Sequence, residues 1–226
     1  MNARPPFPAP TAAPPLPIPT RPTQRRTRQQ IQAAIRQAAI VEFSTHGFKG
    51  ASTQTIAAQA GLSKPQLNYY IASKQALYEE LLHGQLQGWS AAFAFDAAHD
   101  DPRTTLALYV QRKLDYAFAH PHLSRIYTAE MLAGAPRLQR YWPAALACTE
   151  HKVAVLERWM REGRMRQLNA RVLIQQIWGM TQYYADYSAQ AERMQGPSAT
   201  ITTLDRAVIA CELTTSVLLT CGLAPA

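Results

Sequence analysis

The chain has 226 residues, 47% of them hydrophobic and 17% charged, with a formal net charge of +8. Such a length and composition suit a chain with a sizeable apolar core, and no apolar run is long enough for a membrane span. The start does not read as a signal peptide, and three cysteines without metal-ligand spacing (Cys148, Cys211, Cys221) read as buried thiols in a reducing compartment, the cytoplasm.

Nine of the first 22 positions are proline, so residues 1–24 are expected to form a disordered, semi-extended arm with no core to join. Residues 1–75 hold nine basic side chains (Arg4, Arg21, Arg25, Arg26, Arg28, Arg36, Lys49, Lys64, Lys74) against one acid, Glu42, while the rest of the chain carries 14 of each sign. All the excess positive charge therefore sits in the first third. A basic N-terminal module facing a polyanion, followed by a neutral module, is the natural inference, with nucleic acid ahead of an anionic membrane surface.

Helical periodicity dominates from Thr27 onward and strand signals are scarce. Ile31, Ala34, Ile35, Ala38, Ala39 and Phe43 recur at three- and four-residue steps until "HGFKG" stops the run. Ser52 is an N-cap for a short helix through Ala60, with Gly61 as its stop. Ser63 caps the next short helix, which ends near Ile71 and has Pro65 in its first turn, where a missing N–H is harmless. Ser73 begins a long helix to about Phe95. Further helices are expected near 102–119, 121–133, 138–163, 169–193 and 201–221, separated by His120-Pro121, "LAGAP", "EGRMRQ" and "QGPSA". The expected fold class is all-α with about nine helices, divided into a helix-turn-helix domain over 25–72 and a C-terminal domain over 73–226.

Residues 53–71 form helix, tight glycine turn, helix within the basic module, which is the helix-turn-helix arrangement. Lys64 and Gln66, early in the second helix, are candidates for purine edges in a major groove. Asn68, Tyr69 and Tyr70 can donate to phosphates or touch thymine methyls, with one tyrosine packed inward as the lesser alternative. Ser52, Thr53 and Ser63 stand at helix N-termini, where hydroxyls and free backbone N–H groups suit a phosphate. Lys74 offers a point charge, and Arg25, Arg26 and Arg28 can reach the backbone or an adjacent minor groove.

The run "AAIVEFSTHGFKGASTQTIAAQAGLSKPQLNYYIASKQALYEELL" resembles the DNA-binding domain of TetR-family transcriptional regulators. It departs from that pattern at Ala51, Asn68 and Ile71. The resemblance implies three DNA-binding helices followed by a helical domain that dimerises and responds to a small molecule. It also implies a homodimer on a palindromic operator, with repression as the expected outcome. The helices near 169–193 and 201–221, rich in apolar and small residues, are the candidates for a four-helix interface between two copies.

The segments "EMLAGAP" (130–136) and "IWGMTQYYADY" (177–187) resemble the C-terminal domain of the pyrimidine-utilisation regulators within that family, which implies uracil or thymine as effector. Trp178, Thr181, Gln182 and Ala185, three and four apart, share one helix face. An indole beside an amide suits a small flat heterocycle with an N–H and C=O edge, although Trp178 as plain core reads almost as well. Arg125 and Glu130 are further candidates for polar lining groups. No cofactor or metal is expected. The chain has no HExxH, phosphate loop, nucleophile elbow or paired-cysteine motif, so an enzyme is not expected. A nonspecific nucleoid-binding protein is the rival reading, separable by how DNA discrimination responds to salt.

Overall fold

A computed structural model describes residues 26–95, 100–196 and 200–224. The proline-rich arm and Arg25 lie outside these residues. The described residues form ten α-helices: α1 (Arg28–Gly50), α2 (Thr53–Gln59), α3 (Lys64–Tyr70), α4 (Lys74–Ala92), α5 (Pro102–Ala119), α6 (Pro121–Leu132), α7 (Trp142–Arg161), α8 (Ala170–Asp186), α9 (Ser188–Gln195) and α10 (Thr203–Thr220). A 3-10 turn, Gln139–Tyr141, leads into α7. None of these helices is long and apolar enough to cross a membrane.

The all-α expectation holds, but the helix expected over 169–193 is two. Tyr187 leaves helical geometry (φ −111°, ψ 30°) and separates α8 from α9. The physical reason lies one residue earlier. The Asp186 carboxylate accepts from Ser124 Oγ (2.7 Å) and Thr128 Oγ1 (2.6 Å), so the last turn of α8 is pinned to α6. The expectation for the thiols also needs correction: only Cys221 is buried, whereas Cys148 is half-buried and Cys211 exposed. Burial pushes the Cys221 thiol up to about 11.

Two apolar cores account for the packing. The first gathers Ile35, Ala39 and Phe43 of α1, Ile56 and Ala57 of α2, and Leu67 of α3. It continues into Leu77, Tyr78, Leu81 and Leu82 of α4 and Ile126 of α6, so α4 belongs to both modules. The glycine in "HGF" lets α1 bend: Gly47 has φ 64°, a left-handed value that a β-carbon resists. The bend carries Phe48 back against Tyr78, ring centroids 5.1 Å apart. Arg137 closes this corner, its guanidinium carbon 3.8 Å from the Phe48 centroid while Nη1 pairs with Glu130 at 3.1 Å.

The second core is built on α5, which packs against both α8 and α10. Leu106, Val110 and Leu114 line its inner face at four-residue steps, meeting Ile174 and Ile177 of α8 and Val217 and Leu218 of α10. Helix α6 touches α1 on one side and α8 on the other. With α4, it is therefore an element through which the two modules meet.

Candidate nucleic-acid interface and candidate ligand cavity

The turn between α2 and α3 is set by local chemistry. Gly61 N donates to Ala58 O at 3.0 Å and Leu62 N to Ala57 O at 2.9 Å, the paired bonds of a glycine-terminated helix. Gly61 takes φ 71°, and a β-carbon there would also stand 3.1 Å from Arg26 Nη1. Ser63 then opens α3 with a reciprocal cap: its Oγ accepts from Gln66 N at 3.4 Å and its N donates to Gln66 Oε1 at 2.8 Å. Ser52 caps α2, and its own N donates to the buried Glu42 carboxylate at 2.8 Å.

Helix α3 projects from the module on a narrow footing. Leu67 is fully buried, contributing about 1.5–3 kcal/mol by its transfer from water. Tyr70 is half-buried against the same core, and it is the tyrosine that packs inward. Tyr69 is 78% exposed, its ring edge-on to Tyr70 with centroids 5.2 Å apart. Lys64, Gln66 and Asn68 are exposed beside it. Away from Leu67, α3 thus presents a cation, two amides and a phenol to solvent.

Three of the expected contact residues also hold the module together. Arg26 Nη1 donates to Ala60 O at 2.8 Å, capping α2. Lys74 Nζ donates to Ala51 O at 2.6 Å and sits 5.1 Å from the Phe48 centroid, so it ties α4 to the end of α1. The Gln66 amide oxygen is engaged by its own cap. Arg28 is exposed and Ser52 and Thr53 are half-buried. These groups remain within the basic surface, yet Arg26 and Lys74 have partners of their own.

The C-terminal module encloses a cavity of about 290 Å³ between α4, α5, α6, α7 and α8. Trp178 and Gln182 line it, as the shared helix face predicts. Trp178 Nε1 donates to Tyr109 Oη at 2.7 Å, and Gln182 Nε2 donates to Thr128 Oγ1 at 3.0 Å. Thr181 lies one step round the helix. Its hydroxyl is spent on the carbonyl of Ile177, at 2.8 Å, and it faces a smaller adjoining space of about 20 Å³.

Three expected lining residues are elsewhere. Ala185 is wholly buried packing, outside the cavity wall. Glu130 is 2% exposed and faces the opposite way, accepting from Arg137 N (2.8 Å) and Arg137 Nη1 (3.1 Å) beside Tyr78. Arg125 points toward α1: its Nη2 lies 3.1 Å from His122 Nδ1, itself 2.8 Å from Ser44 Oγ. Both residues follow α6 round to the DNA-facing module and away from the cavity.

What the sequence did not bring forward is the rest of the wall. Trp89 and Phe93 of α4, Tyr109 and Lys113 of α5, Tyr127 of α6 and Lys152 of α7 all line the same space. Burial pushes the Tyr109 hydroxyl up to about 12 and raises that of Tyr127, so both are neutral donors and acceptors. No periodicity on one helix signals a wall assembled from five.

Residues 35–81 match the family described as bacterial regulatory proteins, tetR family, and residues 82–223 match that of the YcdC-like protein, C-terminal region. The HTH-type transcriptional regulator RutR of Escherichia coli strain K12 is 38% identical over 167 residues, covering 72% of this chain and 77% of that protein. The HTH-type transcriptional repressor SCO4008 of Streptomyces coelicolor is 31% identical over 124 residues, 51% of this chain and 62% of that one. In fold, the ketosteroid transcriptional regulator KstR2 of Mycobacterium tuberculosis superposes with a TM-score of 0.68 at 22% identity, over 86% of this chain and 96% of that one.

Proposed function

The chain belongs to the TetR family of bacterial regulatory proteins, a DNA-binding transcriptional regulator and not an enzyme, and from that premise we propose that it is a homodimeric repressor whose hold on a palindromic operator is changed by a small planar molecule in the cavity. The observation that carries the DNA half is α3, held by Leu67 with Lys64, Gln66, Asn68 and Tyr69 turned outward from a basic module. An α-helix of this exposure fits a major groove, and amide and ammonium groups near its start pair with purine edges. Arg28, Ser52, Thr53 and Ser63 supply the flanking phosphate contacts. Arg26 and Lys74 contribute charge from positions fixed by their own hydrogen bonds. Such a protein works in the cytoplasm, where the operator is.

Dimerisation through α8 and α10 is supported by their exposed apolar groups. Val172 and Tyr187 stand exposed at the two ends of α8, and Leu204, Val208 and Leu219 on α10. In a twofold dimer of this kind the two copies of α3 would meet successive major grooves of one duplex.

For the effector we favour a single-ring heterocycle, a pyrimidine such as uracil or thymine, on the strength of Trp178 beside the Gln182 amide and the match to the regulator RutR. A different hydrophobic or aromatic effector is the second reading, favoured by a wall with five aromatic side chains besides Trp178. Either ligand has a physical route to the DNA. Gln182 is bonded to Thr128 of α6, Thr128 shares Asp186 with Ser124, and His122 on α6 meets Ser44 of α1. A ligand that takes the Gln182 amide changes what α6 is held by, and so favours one placement of α1 over another.

The test is selection of duplexes from a randomised pool by the purified protein, with its mass in solution measured alongside. Enrichment of a palindrome with half-sites about one helical turn apart, bound by a dimer, supports the reading. A pool that remains random after several rounds contradicts it.

A further inference from the structure

Resting on the reading of the interior cavity as the effector site, the charges in its wall say more about the ligand than its shape does. Lys113, midway along α5, is 9% exposed. Its Nζ is surrounded by ring faces, 4.6 Å from the Phe93 centroid, 5.3 Å from that of Trp89 and 5.9 Å from that of Trp178. Among the described residues it has no hydrogen-bond acceptor and no carboxylate partner. Lys152, 7% exposed, enters the same cavity from α7, where its Nζ reaches only the Cys148 carbonyl, at 3.2 Å.

The one carboxylate in the wall, Glu150, is already engaged. It is half-exposed at the rim and accepts from Arg171 at 2.5 and 3.3 Å. Among the other titratable neighbours, Tyr109, Tyr116 and Tyr127 have hydroxyls raised by burial, and the Cys148 thiol lies beside Lys152 in the wall. Two amines of one sign therefore face one apolar space without a counter-ion. Desolvation first, and the charge of Lys152 second, bring Lys113 down to about 7, while burial also lowers Lys152. Burying unpaired charge is unfavourable, and cation–π contacts with three rings offset only part of that. An anion seated between the amines removes the penalty for both.

We propose that the cavity takes a small aromatic or heteroaromatic carboxylate, its ring among Trp89, Phe93 and Trp178 and its carboxylate between Lys113 and Lys152. The volume, about 290 Å³, is at the lower limit of ligand pockets and suits one ring or two fused ones. The Gln182 amide is left to read a polar ring edge.

The experiment uses matched pairs that differ in charge alone: uracil-6-carboxylate against uracil, and benzoate against benzamide. Each is titrated calorimetrically into the full chain at pH 7.5, in two buffers of different ionisation heat. A carboxylate is expected to bind at least about ten-fold more tightly than its uncharged partner, the size of one charge-assisted bond of about 1.4 kcal/mol. Its binding is also expected to take up a fraction of a proton, because the anion returns Lys113 to its charged form. Lys113→Met, which keeps the length of the stem, should abolish the proton uptake and narrow the carboxylate preference, and Lys113→Met with Lys152→Met should remove that preference. Should these variants fail to fold, proton uptake by the unaltered chain decides on its own.

Uncharged rings that bind as tightly as the carboxylates, without proton uptake, overturn the anion assignment and leave the cavity as the effector site. A carboxylate preference that survives both Lys113→Met and Lys152→Met places the anion elsewhere and overturns it too. If none of the four probes binds, the assignment fails together with the effector reading on which it rests.

Discussion

The two modules treat positive charge in opposite ways. The N-terminal one carries Arg28, Lys49 and Lys64 on its surface, where water keeps them charged at little cost. The C-terminal one has no net charge by sequence count, yet it keeps Lys113 and Lys152 inside, where desolvation works against the charged form. The first pattern is legible in composition and marks a surface for a polyanion. The second is invisible in composition, because interior charge cancels in the count while its energetic consequence does not.

The comparison is broken most directly by removing the interior charge. Lys113 falls from an ordinary value of 10.5 in the unfolded chain to about 7 in the folded one. Between those values the unfolded state binds the extra proton, so stability rises with pH across that window, and below pH 7 the full penalty remains. Lys113→Met is therefore expected to exceed the unaltered chain in urea stability by up to about 5 kcal/mol at pH 6, the gap closing toward pH 10. A variant less stable at every pH would show that the amine is compensated by the protein itself.

A buried apolar anchor in the other module should matter almost as much. Leu67→Ala leaves a hole under α3, and a loss of about 2–5 kcal/mol is expected in the same urea assay. Exposed groups on that helix should behave oppositely. Lys64→Ala or Tyr69→Ala is expected to weaken operator binding by about 1–3 kcal/mol, read by anisotropy of a labelled duplex. The same substitutions should leave urea stability within about 0.5 kcal/mol, since both side chains are exposed. If Tyr69→Ala unfolded the module instead, the separation between a supporting face and a reading face of α3 would be lost.

Arg26 sharpens the same contrast at smaller scale. Arg26→Ala removes the bond to Ala60 O, and about 0.5–1.5 kcal/mol of stability should go with it. Arg171→Ala, which frees Glu150 at the cavity rim, should change stability by no more than about 1 kcal/mol, because that pair is exposed.

Local chemistry made the DNA-facing module readable. Ser52, Ser63 and Ser73 cap three successive helices, Gly61 ends one, and each signal acts within four residues of its effect. The Trp178 and Gln182 pair was readable for the same reason, since one turn of helix puts both on one face. The break at Tyr187 was not, because it has no glycine or proline and depends on Asp186 reaching hydroxyls of α6 some 60 positions earlier. Arg125 and Glu130 failed likewise. Both share α6 with the wall residue Tyr127, but His122 and Arg137 hold their side chains toward the other module. Lys113 lies on α5 between Arg112 and Leu114, in a stretch with nothing to distinguish an interior lysine from a solvated one.

The central claim is sequence-specific recognition by a charged module, and one measurement addresses it: anisotropy of the selected palindrome and of a scrambled duplex of equal length, titrated with protein at 50 and 200 mM salt. The account predicts that both affinities fall with salt, in proportion to the phosphates contacted, while the palindrome keeps a preference of about 10³-fold or more. Two duplexes bound equally at low salt, and lost together at high salt, would contradict it.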